Sequence, residues 1–403
     1  MKTVVIIGGG ASGLMAALTA AQDRNNRVLL LERQQRLGRK LLSTGNGRCN
    51  LTNTGASLAN YHGSDPAFPG YALSRFTPSD TLTFFRELGL LTVEEYGGRV
   101  YPLSNSANSV LDVLRFAAGR AGVEIHTACC AQSVKRRGRG FLIECDAVSF
   151  EADALIVACG GMAGARLGGV KDGYELLRQL GHSRTKLCGA LLPLITAPDY
   201  PRALKGVRAD AAVMLRAGRR VLAAGEGEVQ FTEAGVSGPA VFDISRAAAL
   251  AGEGAELVLN FFRGRDRREL RALLDSRRET LPELEAGELL TGMLHNRLGR
   301  MCVKYAGIGG AERVGELTDA QLERVLDAAC GFTLPLRGTA GFDAAQVTVG
   351  GVSTAEFDPL TLQSRLVPGL YACGEVLDVD GDCGGYNLQW AWASGALAGR
   401  LGT

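Results

Sequence analysis

The residues best placed to do chemistry in this sequence are glycines, amides and one acid near its start. Gly8-Gly9-Gly10-Ala11-Ser12-Gly13 has the spacing G-x-G-x-x-G, and Glu32 follows nineteen residues after Gly13. That pattern binds a dinucleotide. Gly8 permits a tight turn, Gly10 lets backbone approach a pyrophosphate, and Gly13 lets helix and strand pack closely. Ala11 and Ser12 open the helix whose N-terminal amides face the phosphates, and the acid accepts from a ribose hydroxyl. The motif counts because its setting is right. Thr3-Val4-Val5-Ile6-Ile7 reads as a buried parallel strand, residues 14–21 as a helix and residues 27–31 as a second strand ending on Glu32. A glycine-rich turn with a chance acid, or a signal peptide after Lys2, are the bland readings. Three consecutive glycines and the absence of a cleavage-like boundary before the acid argue against the second.

A donor-rich stretch follows, RQQRLGRKLLSTGNGRCNLTN over residues 33–53. Gly38, Gly45 and Gly47 break any long helix, and Arg33, Arg39, Lys40, Thr44, Asn46, Arg48 and Asn50 crowd polar groups around Leu41. Such a loop wraps a ligand or caps neighbouring helices. Cys49 is the most tempting single residue, because Arg48 beside it favours a thiolate. It reads either as a redox or proton-donating group or as a small buried packing residue.

The run LGRKLLSTGNGRCNLTN resembles the signature of the BaiN/YhiN-type flavoproteins, also labelled aminoacetone-oxidase-family FAD-binding enzymes, and the resemblance extends over nearly the whole chain. It implies FAD as the tightly held dinucleotide. Residues 33–53 then lie along the pyrophosphate and beside the isoalloxazine ring, and Arg99-Val100-Tyr101-Pro102 faces the substrate. Arg48, Cys49 and Tyr101 are the catalytic candidates. Residues 154–161, ALIVACGG, resemble the flavoprotein strand that ends in A-T-G-G. Cys159 stands where Thr is usual, so only the backbone role of Ala158, Gly160 and Gly161 carries over, with Ala131 alongside. Gly374-Glu375 after the last apolar strand resembles the motif whose acid holds the ribityl hydroxyls. Gly384, Gly385, Tyr386, Asn387 and Leu388 then open a final helix whose amides face the flavin N1/O2 edge. Trp390 and Trp392 read as packing rather than as stacking on flavin. The segment TEAGVSGPAVFDIS (232–245) resembles the family's T-H-x-G-x-S-G-P-A-V, with Glu233 where many members carry His.

These residues need elements to hold them. Residues 79–88 and 109–119 show helical spacing, the first capped near Thr77 or Ser79, and residues 54–77 read as an irregular excursion. Residues 131–157 read as a meander of three strands, 133–136, 141–145 and 154–157. The basic turn at 136–139 reads as a solvated hairpin tip or, less simply, a nucleic-acid contact. Asp172 reads as a helix N-cap or, more sharply, a catalytic carboxylate. Short strands at 213–215, 221–223, 229–231 and 257–261, with turns at 217–218 and 225–227, mark a β-rich insertion. Residues 266–330 read as charged helices, at 266–279, 284–298 and 319–329. Their arginines alternate with acids and form a solvated face or, alternatively, an RNA-facing surface. The expected fold is α/β: a two-dinucleotide-type, Rossmann-like FAD-binding domain from residues 1–187 and 346–403. A β-rich insertion (188–265 and 331–345) and a helical subdomain (266–330) interrupt it, with the flavin ring at the junction with the insertion.

Composition narrows the classes. In 403 residues, 44 Lys+Arg against 42 Asp+Glu give a net charge of +2, which makes no global demand for nucleic acid or anionic membrane. No apolar run is long enough to span a bilayer. Ten cysteines without a C-x-x-C suit a reducing cytoplasm, and four separated histidines offer no metal site. No second G-x-G-x-x-G is present, so NAD(P)H, if used, visits transiently. The family resemblance implies an FAD-dependent, NAD(P)H-dependent reductase of conjugated C=C bonds in a small hydrophobic, steroid or dehydro-bile-acid-like substrate, by hydride transfer from flavin N5. An aminoacetone-type amine oxidase is the alternative, and an RNA-modifying flavoprotein the more distant one.

Overall fold

The computed structural model describes residues 1–252 and 254–402. They form two compact units, residues 1–189 with 346–403 and residues 190–345.

The first unit is built on a five-stranded parallel sheet. Its order is Leu370–Ala372, Ala154–Val157, Lys2–Ile7, Asn26–Leu31 and Glu124–His126. The central strands are continuous apolar runs because both of their faces are covered. Val4, Val5, Ile6, Leu155 and Ile156 are fully buried. Ala154–Val157 therefore belongs to this sheet and not to the meander, whose strands are Ala131–Arg137, Gly140–Cys145 and Ser149–Ala152. A four-residue apolar run cannot say by itself which sheet it joins.

The helix Ala11–Ala20 packs on the sheet, and the C-terminal helix Tyr386–Gly399 packs on that helix in turn. They lie unusually close: a Cβ on Gly395 would meet the Ser12 carbonyl at 2.4 Å, and one on Gly399 the Ala16 carbonyl at 2.6 Å. Trp392 packs against Phe85 at 5.2 Å and donates to the Leu51 carbonyl at 2.9 Å, while Trp390 donates to that of Gly374. Trp392 is a packing group, whereas Trp390 also lines a cavity. Thr77 caps the helix Pro78–Glu87 in a reciprocal box with Asp80, and Ala107–Arg120 forms the other expected helix. The excursion over 54–77 carries a short helix, Gly70–Arg75. Asp172 is not a cap. It lies inside the first turn of the helix Asp172–Gln179 and faces Arg33 at 3.6 Å.

The second unit contains a closed six-stranded antiparallel barrel and a group of helices. The barrel order is Leu194–Thr196, Gly235–Ser237, Arg220–Phe231, Arg208–Ala217, Glu256–Asn260 and Phe332–Thr339. The three short strands expected between 213 and 231 are two long ones. Gly225 and Gly227 sit inside a strand rather than in a turn, because the helix Pro239–Ala251 crosses over them. A Cβ on Gly225 would meet the Ala240 carbonyl at 3.3 Å. Pro239 occupies the first turn of that helix after Gly238, as its spacing predicts. Among the charged helices, Arg267–Thr280 and Asp319–Cys330 stand where expected. The middle one runs Asn296–Tyr305, leaving 284–295 as a short 3-10 turn and loop, with His295 as its cap.

Candidate cofactor site

Three polypeptide turns converge on one cavity of the first unit. The strand Lys2–Ile7 delivers Gly8 at φ +112°, a conformation that favours glycine. A Cβ on Gly13 would lie 1.8 Å from the Gly8 carbonyl, so the helix sits directly on the turn. At Gly10 nothing lies within 4 Å of an added Cβ, and the residue lines the cavity with Ala11 and Ser12. The open side of Gly10 is the space the motif keeps for a ligand. The space between these walls is about 1320 Å³ when the open mouth is counted.

Glu32 lines the same cavity. Its two carboxylate oxygens accept from the Gly9 amide at 2.8 Å and the Gln34 amide at 2.7 Å, which fixes the turn and the next loop together. Arg33, Arg39, Lys40, Leu41 and Thr44 follow along the wall, the middle three on the helix Arg39–Ser43. Lys40 reaches across the chain to Glu375 at 2.6 Å, and the other Glu375 oxygen accepts from the Thr348 amide at 2.8 Å. Ala131, Ala158, Gly160 and Gly161 form the opposite wall, and Asn387 and Leu388 bring the first turn of the C-terminal helix to the cavity. Two helix N-termini thus border one space, an arrangement that favours anionic groups there. The donor set fits FAD: an open glycine turn, an acid tied to it, two helix starts and a lysine–glutamate pair around one cavity.

Other expected residues stand behind this surface. Gly45, Asn46 and Gly47 form a left-handed turn with φ of +56°, +56° and +84°. Asn50, with its amide oriented to suit its neighbours, accepts from the Gly385 amide at 3.2 Å. Gly374, Gly384, Gly385 and Tyr386 also lie outside the lining. Gly385 has φ +101°, and a Cβ there would meet the Thr52 carbonyl at 2.4 Å, so this glycine shapes the turn before the helix.

The catalytic candidates need correction. Cys49 is fully buried and outside the cavity lining. Burial pushes its thiol up to about 12, against a smaller lowering by its hydrogen bond with Thr44. Arg48 does not promote a thiolate, because it is committed to Glu95, donates to Asn105 at 2.8 Å and stacks on the Tyr101 ring at 4.0 Å. Cys49 is a packing residue. The Tyr101 hydroxyl is raised by burial, partly offset by Arg99 and Arg48. The sequence reading missed Cys129, Cys130, Gly168, Gly169 and Gln346, which also line the cavity. The paired cysteines and paired glycines were visible, but their place was not. Among the described residues no cluster could hold a metal, and no helix is long and apolar enough to cross a membrane.

The HI0933-like protein Rossmann domain model matches residues 2–401. The chain belongs to the HI0933-like family. Among its relatives is the 3-dehydro-bile acid delta(4,6)-reductase of Clostridium scindens, 42% identical and covering 99% of this chain and 98% of the relative. A ribosomal RNA dihydrouridine synthase of Escherichia coli is 30% identical, covering 97% of this chain and 95% of its own length. Among solved structures, 3-ketosteroid delta1-dehydrogenase from Sterolibacterium denitrificans aligns over 99% of both chains at a TM-score of 0.50 and 12% identity, a likeness of fold. The α/β, Rossmann-like class expected for this HI0933-like protein is thus borne out.

Proposed function

We propose that this protein is an FAD-dependent reductase of C=C bonds conjugated to a carbonyl, acting on a small steroid-like substrate with NAD(P)H as the electron source. The observation that carries the reading is full-length similarity, at 42% identity, to a reductase of dehydro-bile acids. When bound, FAD supplies a two-electron carrier that takes a hydride from a nicotinamide and gives one to the substrate. The protein's part is to hold it. The Gly8–Gly13 turn and the start of the first helix receive the pyrophosphate, Glu32 the adenosine ribose, and Glu375 with Lys40 the ribityl chain. Asn387 and Leu388 at the start of the C-terminal helix stabilise negative charge on the reduced ring. The aminoacetone-type oxidase is disfavoured, since the relatives at 42%, 30% and 28% identity carry reductase and synthase names.

A second reading has its own support: the Escherichia coli and Haemophilus influenzae relatives are ribosomal RNA dihydrouridine synthases, at 30% and 28% identity. Dihydrouridine is uridine with its 5,6 double bond saturated, also a C=C conjugated to a carbonyl. The two readings share the bond reduced and differ in what carries it. The test is anaerobic stopped-flow of the flavoprotein with NADH and NADPH, followed by mixing with a 4,6-dien-3-one steroid and, separately, with unmodified ribosomal RNA. Flavin bleaching by a nicotinamide and rapid reoxidation by the dienone are expected. Reoxidation by the RNA alone transfers the reading to uridine, and failure of both substrates sinks it.

A further inference from the structure

We infer that Arg99 is the group that receives the substrate's carbonyl oxygen, holding the negative charge that develops there during reduction. The inference rests on the reductase reading but starts from an anomaly of charge. Arg99 is half-buried, and among the described residues its guanidinium has neither a hydrogen bond nor an ion pair. Every other half-buried arginine among the described residues is engaged, as Arg48 is with Glu95 and Arg271 with Asp275. Half-burying a guanidinium without a partner carries a cost that an oxygen supplied from outside would offset.

Its position is fixed. The strand Arg99–Pro102 is paired on both sides, with Thr52–Asn53 and with Thr92–Glu95. The Asn53 amide donates to the Gly97 carbonyl at 3.0 Å and to the Gly384 carbonyl at 2.9 Å. This ties the Arg99 turn to the residues that precede the C-terminal helix. A Cβ on Gly384 would lie 3.3 Å from Arg99 Nε, so the guanidinium stem rests on that turn. Three residues further on, Asn387 lines the cofactor cavity. Arg99, itself outside the lining, is therefore held beside the turn that leads into the cavity wall at Asn387, with Tyr101 as its electrostatic neighbour. Arg48, with the same charge, is spent on Glu95 and Asn105.

The step balances without a further reactant. A hydride, originating in NAD(P)H, arrives at the β-carbon. The C=C pair becomes the new bond between the α-carbon and the carbonyl carbon, and the carbonyl pair moves onto oxygen. Arg99 donates hydrogen bonds to that enolate oxygen. A proton from solvent then adds at the α-carbon, the carbonyl re-forms, and the substrate has gained two hydrogens. A bidentate guanidinium stabilises the charge that appears only in the transition state, so its effect falls on kcat more than on KM.

The test uses the FAD-loaded enzyme and 4-nitrophenol, whose phenolate carries an oxygen charge delocalised as in an enolate. In the wild type, phenolate binding, read from the shift of its absorbance, is expected to be saturable. In Arg99→Gln it should weaken at least about tenfold with FAD content unchanged, while kcat for a conjugated ketone falls about a hundredfold, as on losing one oxyanion donor. Should that variant lose its flavin, Arg99→Lys carries the test, since a point charge keeps part of the phenolate affinity and loses most of the fork's effect on kcat. Equal phenolate binding by wild type and Arg99→Gln, no binding by the wild type, or an unchanged kcat in Arg99→Lys overturns the assignment. If no conjugated carbonyl compound is reduced but phenolate binding still requires Arg99, the oxyanion site stands and the reductase reading falls.

Discussion

Two stretches of this chain look alike on paper, the loop at 33–48 and the helix Arg267–Thr280, since both are rich in arginine. In the structure they have opposite uses. On the helix, Arg267 bridges Glu323 and Asp327, Arg271 holds Asp275, Asp319 and Glu323, and Arg278 holds Asp275 and Asp319. Arg277 donates to the carbonyls of Leu289 and Thr291. These cations are neutralised within their own unit and staple one helix to another. Arg267, Arg271 and Arg278 therefore spend their charge inside the protein rather than on an outside partner. In the loop, Arg33, Arg39 and Lys40 line a cavity and of these three only Lys40 closes on a short ion pair, while Arg48, outside the lining, pairs with Glu95. The number of basic residues says little about binding, whereas the partners they already have say a great deal.

The contrast can be broken at its centre by Gly10→Val. The side chain enters open space and not packed backbone, so the protein should fold and yet lose FAD, with at least a hundredfold rise in Kd. Fluorescence titration of the apoprotein checks this, and a fully yellow, folded variant would refute the cavity assignment. A smaller effect is expected from Lys40→Met, which leaves Glu375 without its cation at the cavity wall. Loss of one charge-assisted bond, ~1.5 kcal/mol, corresponds to roughly tenfold weaker FAD binding. The corresponding change in the other region, Arg271→Met, should leave FAD affinity untouched and lower stability by only ~1 kcal/mol, because its partners are solvent-facing. Chemical denaturation followed by tryptophan and flavin signals together separates the two. An Arg271→Met protein with weakened flavin binding would erase the distinction between stapling and binding arginines.

What could be read without coordinates follows from locality. The Gly8–Gly13 turn, the strands beside it, Glu32 at the end of the second strand, the Thr77 cap and Pro239 at a helix start each depend on neighbours within a few dozen residues. For these, glycine φ, capping and apolar periodicity suffice. The same holds for the α/β class, since an apolar run feeding a glycine turn and a helix has few other solutions. Tertiary structure decided whatever depends on distant partners. Ala154–Val157 joined the parallel sheet because strands from both chain ends were there to flank it. Gly225 and Gly227 became strand interior because a helix lies across them, which no local pattern reveals. Cys49 and Arg48 are adjacent in sequence, yet one is sealed in the core and the other is bound to Glu95, 47 residues away. Arg99 was placed toward the substrate but not singled out from Arg48, because a cation's meaning lies in whether an acid comes to meet it, and only the packed chain determines that.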